Sequence, residues 1–308
     1  MLAIHTVGAG GGSIAWRDPG GALRVGPRSA GADPGPACYG RGGAEPTVTD
    51  ANVLLGRVQR LAGGVELDTE AAERVIAELA AALGMDLRAC AEGIVRVANA
   101  EMLRALRVVT VERGIDPRRY ALLAFGGAGP LHAAEIADEL GIDTVLCPRA
   151  SGVLAALGLV ISPRRRDAQR TVLLGADDPS IEQVVTELGE RARAALSEPD
   201  AELEPTYELR YRGQSFELAV HSELGQLREA FEAAHEERYG HRDPDAEVEL
   251  VTVRVTATAG GAELELEQPD DVPESLSGAV IALPESTVFV PDGWTASADH
   301  NGTIRLVR

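Results

Sequence analysis

The stretch Tyr120–Ala134 has the sequence YALLAFGGAGPLHAA and decides the predicted fold. Its first part, Ala121–Phe125, is a short apolar run that is typical of a buried strand. After the glycines, an apolar pattern with helical spacing runs over Leu131–Leu140, and Gly141 stands where a helix C-cap is expected. A second apolar run, Thr144–Cys147, follows. The stretch therefore predicts a β-loop-α-β unit and an α/β fold.

The loop of this unit, Gly126-Gly127-Ala128-Gly129, is a candidate cofactor-binding site. Glycines at the start of a helix let a ligand approach the backbone closely, where free N–H groups and the positive end of the helix face it. The pattern departs from a G-x-G-x-x-G dinucleotide fingerprint, because His132 occupies the position of the third glycine. A tight strand-to-helix turn without a ligand is the alternative.

Composition excludes several classes of function. The 308 residues are enough for two domains, and the net charge of −19 argues against nucleic acid or an anionic membrane as a partner. The chain contains no lysine, so a P-loop lysine, a Schiff-base lysine and a lysine general base are all excluded. No stretch is long and apolar enough to span a membrane, and no signal peptide is visible.

The three cysteines, Cys38, Cys90 and Cys147, are widely spaced and form no C-x-x-C pair. Such a set argues against a disulfide framework and predicts a reducing, cytoplasmic location. Cys38 lies in the glycine- and proline-rich segment 26–50, which we expect to be an ordered loop packed on the domain. Cys38 can serve as a nucleophile or metal ligand. No partner stands at a recognisable spacing, however, so a buried and inert thiol is the favoured interpretation.

A second glycine-rich segment, Gly8–Ser13, follows a predicted strand over Leu2–Val7. A hairpin comes next, with Asp18-Pro19-Gly20-Gly21 as its turn. A dinucleotide-binding loop would lead into a helix instead. Gly10 and Gly11 therefore either permit close backbone packing or line a pocket formed with another segment.

Helical patterns occupy most of the chain between residues 47 and 112. A short helix is predicted over Thr47–Leu55, with Asp50 or Thr49 as its N-cap. Longer amphipathic helices are predicted over Leu67–Leu83 and Leu87–Glu112, and the second of these carries apolar residues that are typical of a core helix.

The second half of the chain has an α+β pattern. The polar run Ser162–Arg170 is the candidate boundary, which divides the chain into a domain over residues 1–165 and a smaller domain over residues 166–308. A hairpin is predicted around Arg212-Gly213-Gln214, and a half-buried strand is predicted over Val248–Ala259.

A metal site is one of two interpretations of the helix after the glycine loop. His132 and Glu135 are spaced i, i+3, so both side chains lie on one helix face and can share a metal ion. Alternatively, Glu135 lies in the first turn because of the helix dipole, and His132 packs behind the glycine loop.

Six segments of the chain, taken together, resemble the hydantoinase A/5-oxoprolinase family. They are HTVGAGGGSIA (His5–Ala15), SAGADPGPACYG (Ser29–Gly40), TVTDAN (Thr47–Asn52), FGGAGPLHA (Phe125–Ala133), YRGQS (Tyr211–Ser215) and HEERYG (His235–Gly240). The family includes ATP-dependent hydantoinases and oxoprolinases, together with related subunits of acetone and acetophenone carboxylases.

The resemblance implies the second half of an actin-like ATPase (ribonuclease-H-like) fold, followed by the smaller α+β domain. Gly126–Gly129 resembles the adenosine motif of that fold, which needs no P-loop lysine, and Gly10 and Gly11 are the other expected cofactor-binding residues. The implied cofactors are ATP and Mg²⁺, with ATP phosphorylating an amide or enolate oxygen. The resemblance also suggests a second divalent metal, for which His5 and His132 are the candidate ligands.

The chain departs from the family pattern at its N-terminal side. Relatives carry a long N-terminal half with phosphate- and magnesium-binding loops before the His5–Ala15 motif, and Ala3 stands where many of them have an acidic residue. We therefore expect a portion or subunit of an ATP-dependent cyclic-amide hydrolase, completed by an N-terminal half or a partner subunit and acting as an oligomer. A carboxylase-type subunit and a non-catalytic assembly module are the alternatives.

Overall fold

The computed structural model describes residues 4–61, 66–264 and 278–308. They belong to two compact units. Unit 1 comprises Met1–Leu157 and Leu266–Arg308, and unit 2 comprises Gly158–Glu265. Within the described residues, no helix has the length and apolar character needed to cross a lipid bilayer.

Unit 1 contains one four-stranded sheet and two hairpins. The strands are β1 (Ser13–Arg17), β2 (Leu23–Ser29), β3 (Leu122–Leu123), β4 (Thr144–Cys147), β9 (Ala279–Ala282), β10 (Thr287–Val290), β11 (Thr295–Ala298) and β12 (Ile304–Val307). The sheet has the order β11-β12-β4-β3, and only the β3–β4 pair in it is parallel. Strands β1 and β2 form one antiparallel hairpin, and β9 and β10 form the other.

The first five helices carry most of the remaining structure. They are α1 (Val48–Leu54), α2 (Thr69–Leu83), α3 (Leu87–Val109), α4 (Gly129–Leu140) and α5 (Leu154–Ile161). Helix α4 begins with a proline in its first turn, where the missing N–H has no intrahelical acceptor in any case, and it ends at Gly141. The predicted β-loop-α-β unit is thus present as β3, α4 and β4, and the two long helices are also confirmed. The prediction of a buried strand over Ala121–Phe125 is wrong in extent and burial, because β3 covers only Leu122–Leu123 and the side chains of Leu123 and Phe125 are each 51% exposed.

Three apolar clusters of described residues form the core of unit 1. One lies between α4 and the sheet and includes Val145 and Trp294, both of them buried. Another joins α1, α2 and α3 and includes the fully buried Ile76. The smallest includes Cys38 and Leu131, which come from different segments of the chain.

Unit 2 is an antiparallel sheet packed with two helices. The strands are β5 (Arg164–Gly175), β6 (Glu202–Tyr211), β7 (Leu218–Val220) and β8 (Val248–Ala259), in the order β5-β8-β6-β7, and the helices are α6 (Ser180–Leu196) and α7 (Leu227–Tyr239). The predicted hairpin is confirmed as β6 and β7, with Tyr207 opposite Val220. Alternation along β8 buries Val253 and Val255 in the core.

Two local predictions are wrong. Residues 4–7 of the predicted strand Leu2–Val7 belong to no strand, and residues 1–3 lie outside the described part of the chain. The predicted polar break Ser162–Arg170 is largely strand β5, because residues from Arg164 onward pair with β8. An exposed arginine run is compatible with a strand that has one face in solvent.

The end of the chain belongs to the first unit. The sequence assigned all of residues 166–308 to a C-terminal domain, whereas β12 pairs antiparallel with β4 from Ile304 opposite Cys147 to Val307 opposite Thr144. The alternation of β12 buries Ile304 and Leu306 in the same core as α4. Unit 1 is therefore assembled from both ends of the chain.

Candidate functional site

A cavity of about 810 Å³ lies within unit 1, where five separate segments converge. Its lining includes Gly11 and Gly12, then Tyr39 and Arg41, then Thr49, Asn52 and Arg60, and then Gly127 and Ala128. The fifth segment is the turn 283–287, which joins β9 to β10 and includes the first residue of β10. A cavity of this size is in the range of small-molecule and cofactor sites.

The two glycine-rich segments meet in this cavity. The backbone N–H of Thr49 donates to the carbonyl of Gly11 at 2.8 Å, which fixes the first segment on the start of α1. A Cβ on Gly11 would lie 2.7 Å from the Thr49 hydroxyl oxygen and 3.8 Å from the Cβ of Ala128. A larger residue at position 11 would therefore require the Thr49 side chain to move, and its Cβ would come within van der Waals distance of the second glycine loop.

Two of the other five predicted cofactor-binding residues line the cavity, and three do not. Gly127 and Ala128 line it directly. Gly126 fixes the loop to two neighbouring segments. Its N–H donates to the backbone carbonyl of Ser151 at 2.7 Å, and its own carbonyl accepts from the Ser286 hydroxyl at 3.1 Å. Gly10 donates to the Ser13 hydroxyl at 3.0 Å and is absent from the described lining, as is Gly129, which begins α4.

Helix α1 presents Thr49 and Asn52 to the cavity because its first turn is held by a capping box. Thr47 is the N-cap, so the prediction of Thr49 or Asp50 as the cap is wrong by two or three positions. Asp50 is instead the third helical residue, and its carboxylate accepts from the Thr47 N–H at 2.9 Å and from the Thr47 hydroxyl at 2.7 Å. The same carboxylate accepts from the Cys38 N–H at 2.8 Å.

Cys38, whose backbone N–H is bonded to Asp50, is itself fully buried. Burial, followed by the charge of Asp50, raises the pKa of the Cys38 thiol far above its ordinary value. Burial also raises the pKa of Cys147 to about 12, and all three cysteines are free and buried. Because the thiolate is the reactive form, a neutral Cys38 is a poor nucleophile and a poor metal ligand.

His132, in the first turn of α4, belongs to a polar network that links α4 to Asn99 of α3 and to Arg57. Its Nδ1 donates to the side-chain carbonyl of Asn99 at 2.7 Å, the Asn99 amide donates to Glu135 at 2.7 Å, and Arg57 also donates to Glu135 at 2.7 Å. The guanidinium of Arg57 stacks on the ring of Phe289, 4.2 Å from its centre. Glu135 is thus paired with Arg57 and Asn99, an arrangement that explains its position without a metal ion.

Burial lowers the pKa of His132 to about 4, and the charge of Arg57 adds to this effect while Glu135 opposes it. We therefore expect the free energy of unfolding to fall as pH decreases from about 6.5 to 4, by about 3 kcal/mol from this group. In that pH range the His132 imidazole is protonated in the unfolded chain and neutral in the folded chain. Above that range the imidazole is neutral in both states.

Both tryptophans, Trp16 and Trp294, lie in unit 1, so tryptophan fluorescence during urea unfolding reports on this unit. The measurement compares wild type with His132→Gln from pH 4.5 to 7.5. A variant with the same pH dependence as wild type would contradict the assignment to His132.

The two predicted metal ligands have different surroundings. His5 lines a separate, mostly apolar cavity of about 470 Å³ with Phe125 and Gly129, whereas His132 is held by Asn99. Across residues 4–61, 66–264 and 278–308, no group of three or more His, Cys, Asp and Glu side chains is placed to hold a metal ion. Ala3 lies outside the described residues.

Sequence reasoning missed several parts of the cavity. The TVTDAN segment marks the region of Asn52, but Arg41, Arg60 and the turn 283–287 carry no local signal of a site. They reach the cavity through long-range packing, which periodicity and motif spacing do not report.

The fold and the cavity define an α/β protein whose candidate ligand site lies between two glycine-rich loops. The family model described as hydantoinase/oxoprolinase matches residues 1–168. The chain therefore belongs to the hydantoinase/oxoprolinase family, as the sequence motifs predicted.

The chain is similar to two named relatives and to one solved structure. It is 36% identical to caprolactamase subunit alpha of Pseudomonas jessenii, over 98% of this chain and 47% of that protein. The crystal structure of the ATP-dependent caprolactamase from the same organism matches 100% of this chain and 53% of the other, with 34% identity and a TM-score of 0.62. A 5-oxoprolinase of Saccharomyces cerevisiae is 35% identical over 83% of this chain and 22% of its own length.

A nucleotide-free structure of acetone carboxylase shares the fold, with a TM-score of 0.82 and 22% identity over 97% of this chain and 51% of the other. The mixed α/β fold of the prediction is thereby confirmed. The chain spans about half the length of the first curated relatives it matches.

Proposed function

We propose that this chain is a portion of an ATP-dependent cyclic-amide hydrolase, and that the cavity of unit 1 binds the nucleotide. The observation that carries the proposal is the convergence of Gly11 and Gly12 with Gly127 and Ala128 on one cavity of about 810 Å³. Glycine-rich backbone at the start of a helix favours phosphate oxygens, because its N–H groups and the helix dipole face the anion. The relative with an ATP-dependent activity in its name, caprolactamase, is similar over the whole chain.

The proposed organisation is the second half of an actin-like, ribonuclease-H-like fold. In that arrangement the two glycine loops contact ATP, and the remaining wall of the site comes from a polypeptide that corresponds to the unmatched half of the relatives. We also expect a cytoplasmic oligomer. Three buried free thiols fit a reducing compartment.

The residues of the cavity fit ATP better than they fit a protein-held metal. Backbone N–H groups of the glycine loops and the guanidinium groups of Arg41 and Arg60 are donors for phosphate oxygens. Mg²⁺ is commonly bound through substrate phosphates and one or two carboxylates, and Glu285 is the carboxylate in the cavity lining. We propose no second metal at His5 and His132, because His5 lines a cavity that His132 does not line and the described residues place no group of three or more metal-ligating side chains together.

ATP, when bound, would supply a phosphoryl group that turns the amide oxygen into part of a good leaving group. The chain's own residues would orient the nucleotide and exclude water from it. Gly11 and Ala128 would line the nucleotide from the two loops, and Glu285 and Ser286 close the cavity on the side of β9 and β10. Fixed donors of this kind stabilise charge without reorganisation during the reaction.

Amide hydrolysis is favoured over carboxylation because the identity to caprolactamase is 34–36%, whereas the 22% identity to acetone carboxylase supports the shared fold alone. The proposed substrates are accordingly small lactams and related cyclic amides, and not a ketone with bicarbonate.

The test is a calorimetric titration of Mg-ATP into the chain, alone and mixed with the unmatched portion of caprolactamase subunit alpha. We expect binding that is tighter in the mixture, together with phosphate release that depends on caprolactam, 5-oxoproline or hydantoin. Phosphate release that requires bicarbonate and a ketone would replace the hydrolase by a carboxylase. Absence of nucleotide binding in both conditions would overturn the proposal in favour of an assembly module.

A further inference from the structure

Two arginines line the cavity without a carboxylate partner. Arg41 follows the short 3-10 helix Ala37–Tyr39, and Arg60 lies beyond the end of α1. Neither side chain forms an ion pair with any residue in the described part of the chain. Their neighbours behave differently, since Arg28 pairs with Glu45 and Arg57 pairs with Glu135.

This local charge contrasts with the rest of the protein. The net charge is −19, so an anion approaching most of the surface is repelled. The charged residues among the described cavity lining are Arg41, Arg60 and Glu285, so two positive charges against one negative charge make the lining locally favourable for an anion. Arginine presents a planar set of donors that matches phosphate oxygens in a bidentate geometry.

Asn52 adds an independent requirement on the ligand. Its side chain is 1% exposed and lines the same cavity. The Asn52 amide nitrogen donates to the Val48 carbonyl at 3.0 Å, which fixes the orientation of the amide. The amide oxygen then has no hydrogen-bond partner among the described residues, although a buried acceptor without a partner is costly. A ligand with an N–H or O–H donor would satisfy it.

We propose that Arg41 and Arg60 bind the phosphate groups of a nucleoside polyphosphate and that the amide oxygen of Asn52 accepts a hydrogen bond from its nucleoside part. This inference rests on the proposed nucleotide-binding function and assigns its phosphate and nucleoside contacts to particular residues. The arginines would contact the phosphate groups, and the Asn52 amide oxygen would contact the nucleoside part. Pyrophosphate and adenosine each contain only one of these parts, so the two sets of contacts can be tested separately.

The experiment titrates Mg-ATP, adenosine and pyrophosphate by calorimetry into wild type and variants, alone and with the unmatched portion of caprolactamase subunit alpha. Arg41→Gln and Arg60→Gln should each weaken Mg-ATP and pyrophosphate by roughly ten- to a hundredfold and leave adenosine within about twofold. Asn52→Leu, and the smaller Asn52→Ser, should weaken Mg-ATP and adenosine and leave pyrophosphate unchanged. Arg88→Gln is the matched control, because Arg88 pairs with Glu92 on the exposed surface of α3 and lies outside the cavity lining.

Each other outcome overturns a stated part of the proposal. If wild type binds Mg-ATP and the arginine variants bind it equally well, the phosphate assignment fails while the proposed function stands. If wild type binds pyrophosphate in an arginine-dependent manner but not Mg-ATP, the anion contacts stand and the nucleotide function fails. If wild type binds none of the three probes, both fail. Equal adenosine affinity in wild type and both Asn52 variants removes Asn52 from the site.

Discussion

Replacing Asp50 by asparagine should lower the free energy of unfolding of unit 1 by about 3 kcal/mol. The Asp50 carboxylate is fully buried and accepts hydrogen bonds from the backbone N–H groups of Ala37, Cys38 and Thr47 and from the Thr47 hydroxyl. Asparagine keeps the shape of the side chain but places an NH₂ group where one carboxylate oxygen now accepts. At least one buried N–H then faces another donor, and the remaining bonds lose their charge assistance.

The consequence extends to the cavity, because Asp50 ties the loop that carries Cys38 to the helix that carries Asn52. A looser connection places Arg41, Thr49 and Asn52 less accurately, so affinity for Mg-ATP should fall along with stability. Urea unfolding followed by tryptophan fluorescence measures the stability, and calorimetry measures the affinity.

The control for this change is Asp86→Asn. Asp86 is the N-cap of α3 and accepts from the N–H groups of Arg88 and Ala89 at an exposed site. Asparagine is an equally good N-cap, so this variant should remain within a few tenths of a kcal/mol of wild type. If Asp50→Asn were as stable as Asp86→Asn, the buried carboxylate would not hold the loop.

The parts of the fold that the sequence predicted are those with local causes. The β3-α4-β4 unit follows from an apolar run, a glycine loop and a glycine C-cap within about thirty residues. Gly11, Gly127 and Ala128, which the sequence predicted to bind a cofactor, line the described cavity. Whether they bind a nucleotide stays a prediction.

The missed features have causes that lie far apart in the sequence. Ser286 contacts Gly126 across 160 positions, and strand β12 joins β4 from the end of the chain. Neither pairing leaves a periodic signal in either segment. The apolar pattern of Leu2–Val7 did predict a strand, yet residues 4–7 have no ladder partner within the described residues, and a strand requires one. The sequence favoured a packed His132 over a metal ligand, but the contacts of His132 with Asn99 and of Glu135 with Arg57 and Asn99 join distant segments and leave no local signal.

Replacing Gly152 by alanine should also have a large effect, on both stability and the shape of the cavity. Gly152 lies in the short 3-10 helix after β4, and a Cβ there would be 2.0 Å from the carbonyl oxygen of Glu285 and 2.4 Å from its Cβ. Because the obstacle is mainly backbone, no side-chain rotation relieves it, and the turn 283–287 must move. We expect the free energy of unfolding of unit 1 to fall by about 3 kcal/mol, at the upper end of the range for overpacking.

The displacement should weaken ligand binding through a defined chain of contacts. The Ser286 hydroxyl donates to Gly126 at 3.1 Å, and Glu285 and Ser286 form one wall of the cavity. When the turn moves away from Gly152, that hydrogen bond is lost and the wall separates from the glycine loop. Affinity for Mg-ATP should therefore decrease even under conditions in which the variant remains folded, as calorimetry at low temperature would measure.

Gly158→Ala provides the comparison for this substitution. Gly158 lies in helix α5, and a Cβ there meets no atom within 4 Å, so alanine should leave the protein unchanged or stabilise it by up to about 1 kcal/mol through its helix propensity. If Gly152→Ala matched Gly158→Ala in both unfolding and Mg-ATP binding, the turn would be free to adjust and could not be a fixed wall of the site. If stability alone fell, the turn would pack on the 3-10 helix without shaping the ligand site, because a wall that holds a ligand cannot be displaced without a change in affinity.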